Sequence, residues 1–462
     1  PKQSIDQITA TVIQASLRAA ADEMFAVLKK TAMSPIIYEV LDVGTGITDG
    51  DGELISSGAG IPTFVGVLDK AVRRIIGIHG KTNILEGDVF ITNDPNYGGV
   101  THLNDVVIAM PIFAQGELAA WSASIAHWND VGGQTPGSMT VTATEIFQEG
   151  LRLPAVKLFD AGRKLQSVID IIEVNSRLPD FVRGDLWAQV AASRKADARI
   201  RQLIEKYGLG TFRKAIVALF DEGERRGRAG LARLPHGTFR LEEEQDDGAI
   251  WKVAITIRPD RFVVDLSGNP KQREAPFNTS RDGIMISTQV IYKALTDPSL
   301  FTNAGSFRFL ELITEPGTIF DAKGSAPHGF YSETRIRVFD MLWRCMAQAV
   351  PDRLPAGHFS SVCATVIAGD HPDTGRRYTM VEPQLGGSGA TSTRDGLDAM
   401  YTCSHGDTFN CPVEICEARY GLEVVYKRLN ESNEGKGRFK GGKGLSFAYR
   451  PRAPIILSVG YT

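Results

Sequence analysis

Long apolar runs are what this 462-residue sequence most plainly lacks. Nowhere do about 18 apolar residues follow one another, so no membrane-spanning helix is expected. Cysteine is scarce too: the five cysteines are odd in number, all lie beyond residue 340 and form no CxxC pair. That pattern argues against a disulfide framework. Cys411 and Cys416 stand too isolated for a zinc site, which leaves buried thiols in a reducing, cytoplasmic compartment. Charge of one sign is equally short. Lys and Arg number 51 against 54 Asp and Glu, a net −3, and no basic stripe stands out, so neither nucleic acid nor an anionic membrane is an expected partner. The opening PKQSIDQITATVIQ has no basic segment leading into an apolar one, so no signal peptide is expected. Internal repeats and low-complexity linkers are also absent.

What is present is the balance of an ordinary globular protein, 43% hydrophobic and 23% charged, long enough for two or three core-forming units or one large domain with subdomains. Residues 5–30 read as an amphipathic helix, with Ile13, Leu17, Ala20, Met24 and Leu28 at helical spacing. A strand-rich, turn-rich stretch follows. VGTGITDGDGELIS reads as a hairpin turning at Asp49-Gly50-Asp51-Gly52, and residues 88–92, 105–113 and 118–126 read as buried strands. From about 166 to 233 the period becomes helical, Tyr207-Gly208 closing one helix. Strands return from about 237, interrupted by a helix around 340–351 that ends at its proline. The expected fold is α+β, a mixed, mainly antiparallel sheet core with a helical insertion, divided softly into residues 1–165, 166–235 and 236–462.

The stretch 93–150 carries the chemistry. His102 and Asp105 are three apart; on a regular strand they would face opposite ways, but on a turn, which Gly98-Gly99 permits, they converge. His127 ends the next predicted strand, and pairing the two strands as a hairpin returns it to the His102 turn. Two imidazoles and a carboxylate on strand ends form a three-ligand site with open positions, suited to Zn, Mn or Fe(II) acting as a Lewis acid. Asp130, three after His127, would be a fourth ligand, an acceptor behind the ligands, or a general base. Asp42 and Asp94 are further oxygen donors in glycine-rich surroundings, Asp42 also a candidate base. Against this stands the plainer reading in which these residues only cap turns.

Other motifs fail. Gly437–Gly444 satisfies GxxxxGK but offers Gly444 where a phosphate-binding loop needs Ser or Thr, and no strand-to-helix context surrounds it. Gly386-Gly387-Ser388-Gly389 lacks GxSxG spacing. Cys403 and Cys411 near His405 suggest a Cys/His dyad only by sequence proximity, and Glu242–Glu244 reads as a solvated hairpin edge.

GDVFITNDPNYGGVTHLNDVVIAMPIF, AHWNDVGGQTPGSM and EIFQEGLRLPAVKL closely resemble the hydantoinase B family. The likeness continues through VNSRLPDFVRGDLWAQVAA, VVDLSG, SETRIRVFD, PVEICEARYGLEVVYKRLN and GKGRFKGGKG, covering nearly the whole chain. The family comprises B-type portions of ATP-dependent 5-oxoprolinase and hydantoinases, caprolactamase, and subunits of acetone and acetophenone carboxylases. The resemblance implies a hydantoinase A-type partner that binds the ATP, and hence a hetero-oligomer. It also implies a divalent metal at HxxD and a following His, which fall on His102, Asp105 and His127.

Many hydantoinase-like members carry a segment like HIPVHLG, where this sequence reads Gly60-Ile61-Pro62-Thr63-Phe64-Val65-Gly66. Thr63 and Phe64 are therefore expected substrate contacts, and a more apolar substrate is expected, a simple lactam or aryl ketone. The family usually continues past GGKG, so further chain is expected beyond Thr462. The expected activity is ATP-dependent hydrolysis of a cyclic amide. The alternatives are a ketone carboxylase, which also uses bicarbonate, and a non-catalytic scaffold whose metal is structural.

Overall fold

The computed structural model describes residues 5–97, 99–400, 402, 405, 406, 408–431 and 434–461. Helix α1 (Gln7–Thr31) starts where the Asp6 carboxylate accepts from Thr9 N at 2.9 Å, and it buries Ile13, Leu17, Ala20, Met24 and Leu28. A short α2 (Pro35–Tyr38) leads to the hairpin of β1 (Val43–Asp49) and β2 (Leu54–Gly60). Helix α3 (Pro62–His79) follows, then β3 (Val89–Thr92), β4 (Asp105–Ala114), β5 (Glu117–His127), β6 (Val156–Asp160) and β7 (Arg163–Lys164).

These strands form a seven-stranded sheet of order β2-β1-β5-β4-β3-β6-β7, antiparallel throughout. The β4–β5 turn is two residues, Gln115 and Gly116, both at positive φ, the conformation that matches strand twist in tight hairpins.

Helices α4 (Gln166–Asn175), α5 (Pro179–Tyr207) and α6 (Leu209–Leu231) supply the predicted helical segment. On β4, Val106, Ile108, Met110 and Ile112 join the core shared with α1, α5 and α6, whereas Val107 and Ala109 join the core built on α3. Side chains alternate across a strand, so a sheet covered on both faces buries both sets, and β4 is apolar almost throughout for that reason.

The rest of the chain adds a four-stranded sheet of order β11-β10-β9-β8, from β8 (Gly237–Glu244), β9 (Ile250–Arg258), β10 (Arg261–Asp265) and β11 (Leu310–Ile313). Its β10–β11 pair is parallel. This sheet shares a core with α7 (Arg281–Thr296) and α8 (Tyr331–Ala347). Then come β12 (Ala364–Asp370), β13 (Arg377–Glu382), α9 (Val413–Arg419), β14 (Leu422–Leu429), β15 (Leu445–Pro451) and β16 (Ile455–Gly460), in sheets of order β13-β12-β16 and β14-β15. The fold is α+β, with mainly antiparallel sheets.

Three helical stretches depart from the sequence reading. Residues 62–79 form a helix, not strand or loop: Pro62 occupies its first turn, and Phe64, Val67, Leu68, Ala71, Val72 and Ile75 make its buried stripe. Residues 281–296 are helical within a region read as strands, with Ser280 capping Gly283 N. Helix α8 begins at Tyr331, about nine residues before the expected start. No helix among the described residues is long and apolar enough to cross a membrane.

Candidate metal centre

Strand register builds the site. Asp105 opens β4, His127 closes β5, and the two are directly paired across the hairpin. His102 lies in the turn entering β4, where Asp105 N bonds back to its carbonyl at 3.1 Å. His102 Nε2 therefore reaches to 3.2 Å from Asp105 Oδ1, and one ligand atom from each of His102, Asp105 and His127 lies within 4.8 Å of the others. All three residues are buried. Asp42, just before β1, gives its backbone carbonyl to His127 N at 3.1 Å, tying the neighbouring strand to the same corner.

The supports of each side chain indicate what the cluster suits. His102 Nδ1 lies 3.0 Å from the Gly329 carbonyl; a carbonyl only accepts, so Nδ1 carries a proton, and in the neutral ring Nε2 presents its lone pair toward Asp105 and His127. Asp105 Oδ2 accepts from the Thr101 hydroxyl and, at 3.3 Å, from Tyr331 OH. Asp105 Oδ1 and His127 Nδ1 are buried with no hydrogen-bond partner. The 3.2 Å approach of Oδ1 to His102 is thus close without hydrogen-bond geometry. Buried polar atoms are rarely left unmatched, and two of them converging beside the His102 ring match the donor set that a divalent cation accepts.

Electrostatics fit that reading. Burial, together with the charge of His102, pushes His127 down to about 3, so its ring is neutral and able to ligate. Burial opposes the charged form of His102, yet Asp105 beside it reverses the shift and holds it above the usual imidazole range. Burial likewise opposes ionisation of Asp105, and the two imidazoles hold its carboxyl below the usual range. Asp42 moves the other way: burial and then the Asp105 charge raise it well above an ordinary carboxyl.

The cluster opens on a narrow cavity of about 50 Å³. Asp42, His102, Asp105, His127, Tyr331 and His405 form its polar side, and Ile36, Phe64, Met139, Val362, Val381 and Pro383 are among its apolar lining. Of the predicted substrate contacts, Phe64 faces this space from the first turn of α3. Thr63 is buried beside it but does not line the cavity.

Asp130 is elsewhere. Its Oδ1 accepts from Gly132 N and Arg177 N, each at 3.0 Å, and its Oδ2 from Gly137 N at 3.0 Å and Arg177 Nη1 at 3.1 Å. All four contacts brace a loop, and none faces the cavity. Asp94 is occupied in the same way, by Arg152 Nε at 2.6 Å and Asn96 N at 2.9 Å.

The rejected motifs also have places. Residues 437–444 run into strand β15, not a helix, and Gly442 N bonds Ser388 O at 2.8 Å, knitting the two glycine-rich loops together. Cys403 lies outside the described residues. Cys345, Cys411 and Cys416 are free and buried, with burial raising Cys345 to about 11 and Cys416 to about 12, far from a reactive thiolate.

Sequence reasoning missed Tyr331 and His405 as cavity residues. Arg335 Nη2, 3.3 Å from His405 Nδ1, is a buried cation beside the site, and burial followed by that charge holds His405 well below its usual range. The available signal was the stretch SETRIRVFD, where charged residues punctuate a helix-forming segment.

Comparison with known proteins agrees with this architecture. Residues 6–461 match hydantoinase B/oxoprolinase. The chain is 31% identical to the B-type chain of a putative D-/L-hydantoinase from Pseudomonas sp. (strain NS671), covering 96% of this chain and 77% of that one. It is 30% identical to the beta chain of caprolactamase from Pseudomonas jessenii, over 99% and 80%. It superimposes on the crystal structure of ATP-dependent caprolactamase from that organism with a TM-score of 0.93 at 27% identity, covering 100% of this chain and 81% of that chain. The nucleotide-free acetone carboxylase structure shares the fold, with a TM-score of 0.88 at 19% identity over 96% of this chain and 62% of that one. The chain belongs to the hydantoinase B/oxoprolinase family. Within it, the chain is a relative of ATP-dependent caprolactamase.

Proposed function

We propose that this chain is the metal-binding, catalytic subunit of an ATP-dependent hydrolase of cyclic amides. The observation that carries the reading is the buried convergence of His102, Asp105 and His127, two of whose candidate ligand atoms have no hydrogen-bond partner, on a cavity with an apolar wall. An unstrained lactam resists hydrolysis because resonance stabilises the amide, and ATP drives the step by phosphorylating the carbonyl oxygen. A hydantoinase A-type partner would supply the ATP site, since neither glycine-rich loop of this chain opens a helix.

His102, Asp105 and His127 would hold a divalent ion, Zn or Mn, which supplies Lewis acidity toward a carbonyl or phosphoryl oxygen. Asp42 moves protons at the cavity wall. Its carboxylate takes a proton from the attacking water, and the protonated form, favoured by burial, then gives that proton to the departing ring nitrogen. Phe64 and the neighbouring apolar side chains exclude bulk water and favour a hydrocarbon ring over a polar hydantoin.

The test is turnover by this chain with its A-type partner, ATP and added Zn or Mn, on lactam and ketone panels, with and without bicarbonate. Lactam opening that needs ATP, metal and both chains but not bicarbonate is expected. Bicarbonate-dependent consumption of a ketone would replace this reading with a carboxylase. Metal loss that lowers only the melting temperature would make the ion structural.

A further inference from the structure

Glu149 is 1% exposed and ends the turn that begins at Ile146. Its carboxylate clamps two consecutive backbone amides: Oε2 accepts from His328 N at 2.8 Å and Oε1 from Gly329 N at 2.6 Å. Burying a carboxylate is costly unless its acceptors are filled, and here both are filled by the turn that precedes α8. The carbonyl of that same Gly329 receives His102 Nδ1 at 3.0 Å.

We propose that Glu149 is a positioning residue for the centre, setting the ring tautomer of His102 through the Gly329 carbonyl. The inference rests, for its metal arm, on the metal-centre reading above.

The geometry leaves little slack in this linkage. A Cβ at position 329 would lie 2.9 Å from Glu149 Oε1, so any side chain there makes the carboxylate shift against the amide it holds. Glycine is needed for the close approach, not for an unusual backbone angle. The other exit of the turn is Phe330 N on Pro276 O at 2.8 Å, after which Tyr331 enters α8 and brings its hydroxyl to Asp105. A shift of the turn therefore disturbs two ligands together: His102 loses the acceptor that keeps the proton on Nδ1, and Asp105 loses a hydrogen bond. With the proton free to move to Nε2, the lone pair presented to the ion is lost in that fraction of molecules. A carboxylate that only supported the start of α8 would have no such effect on the ring.

Two variants test this on the full chain, Glu149→Gln and Gly329→Ala. Glutamine retains one acceptor where two amides need one each. The readouts are the imidazole nitrogen spectrum of histidine-labelled, metal-free protein at a pH high enough to leave the His102 ring neutral, with the His102 signals assigned by their loss in His102→Gln, direct titration with Zn or Mn, and thermal melting. Expected is a single Nδ1–H tautomer for His102 in the native protein, a mixture in both variants, and affinity for the ion weaker by about 10–100-fold. Should Glu149→Gln fail to fold, Gly329→Ala perturbs the same contact from the other side. Retention of the pure Nδ1–H tautomer and native affinity, with only a lowered melting temperature, would overturn the proposal. If the native chain binds neither ion, the metal-centre reading falls, while the tautomer measurement still decides the role of Glu149.

Discussion

Replacing Asp130 by Ala separates a structural brace from a ligand. The carboxylate is fully buried and accepts from three backbone amides, those of Gly132, Gly137 and Arg177, and from the Arg177 guanidinium. Truncation strands three buried N–H groups, each costing about 1–3 kcal/mol where water does not reach it. The guanidinium adds little: its side chain is 25% exposed and keeps the carbonyls of Gly132, Gly133 and Thr135. With some water entering the space left behind, the expected loss is roughly 3–5 kcal/mol, a large share of the stability of a typical domain. Urea denaturation of the variant against the native chain measures it, and elemental analysis of the folded protein measures metal. Reduced stability with unchanged metal per chain is expected. A loss below about 1 kcal/mol together with an empty centre would refute the reasoning, because Asp130 would then be acting on the ion and not on the loop.

Three further expectations follow from the same geometry. His102→Ala and His127→Ala each remove one of three ligands, so metal content at limiting metal should fall about tenfold or more while the circular dichroism spectrum stays native; full occupancy in both would rule the centre out. Phe64→His places a polar ring on the apolar wall, so KM for a simple lactam should rise severalfold while melting shifts little, and unchanged KM and kcat would remove Phe64 from the substrate's path. Asp185, bonded to Met33 N and Ser34, is raised by burial to about 6. The folded state therefore keeps its proton where the unfolded chain loses it, and the stability this confers at about pH 4 disappears as pH rises through about 6. Relative to Asp185→Asn, the native chain should gain about 2 kcal/mol of unfolding free energy between about pH 7.5 and about pH 4; a pH-independent difference would contradict the assignment.

How much of this was legible depends on how local each cause was. The hairpin holding Asp105 opposite His127 is written in two apolar runs and a two-residue turn, so convergence of His102, Asp105 and His127 followed from strand pairing and the glycine-permitted turn before β4. Helix α3 was not legible as a helix because Gly66 and Pro62 punctuate it, and α7 because Ile, Val and Thr crowd it. Propensity is a weak prior, and each helix is held by burying its stripe. At Gly66 a Cβ would lie 3.2 Å from Ile286 of α7, so its small size lets the two helices approach. Asp130 shares with Asp105 a three-residue spacing from a histidine, yet its partner is Arg177, 47 residues away. Spacing is blind to such a partner. His405 and Tyr331 reach the cavity from beyond residue 330, where no periodicity near 102–127 announces them.

The origin of each wall has a consequence for how the site could change. All three candidate ligands come from one hairpin of a seven-stranded sheet buried on both faces, the part of the fold least able to move without disturbing two cores. The apolar lining is assembled from separate elements: Ile36 of α2, Phe64 of α3, Met139 of a loop, and Val362, Val381 and Pro383 around β12 and β13. None of these side chains hydrogen-bonds a candidate ligand, so their size and polarity can vary without moving His102, Asp105 or His127. The geometry of the candidate ligands and the shape of the cavity are thus set by different elements, and substitutions in the lining should act on substrate choice while metal content stays constant.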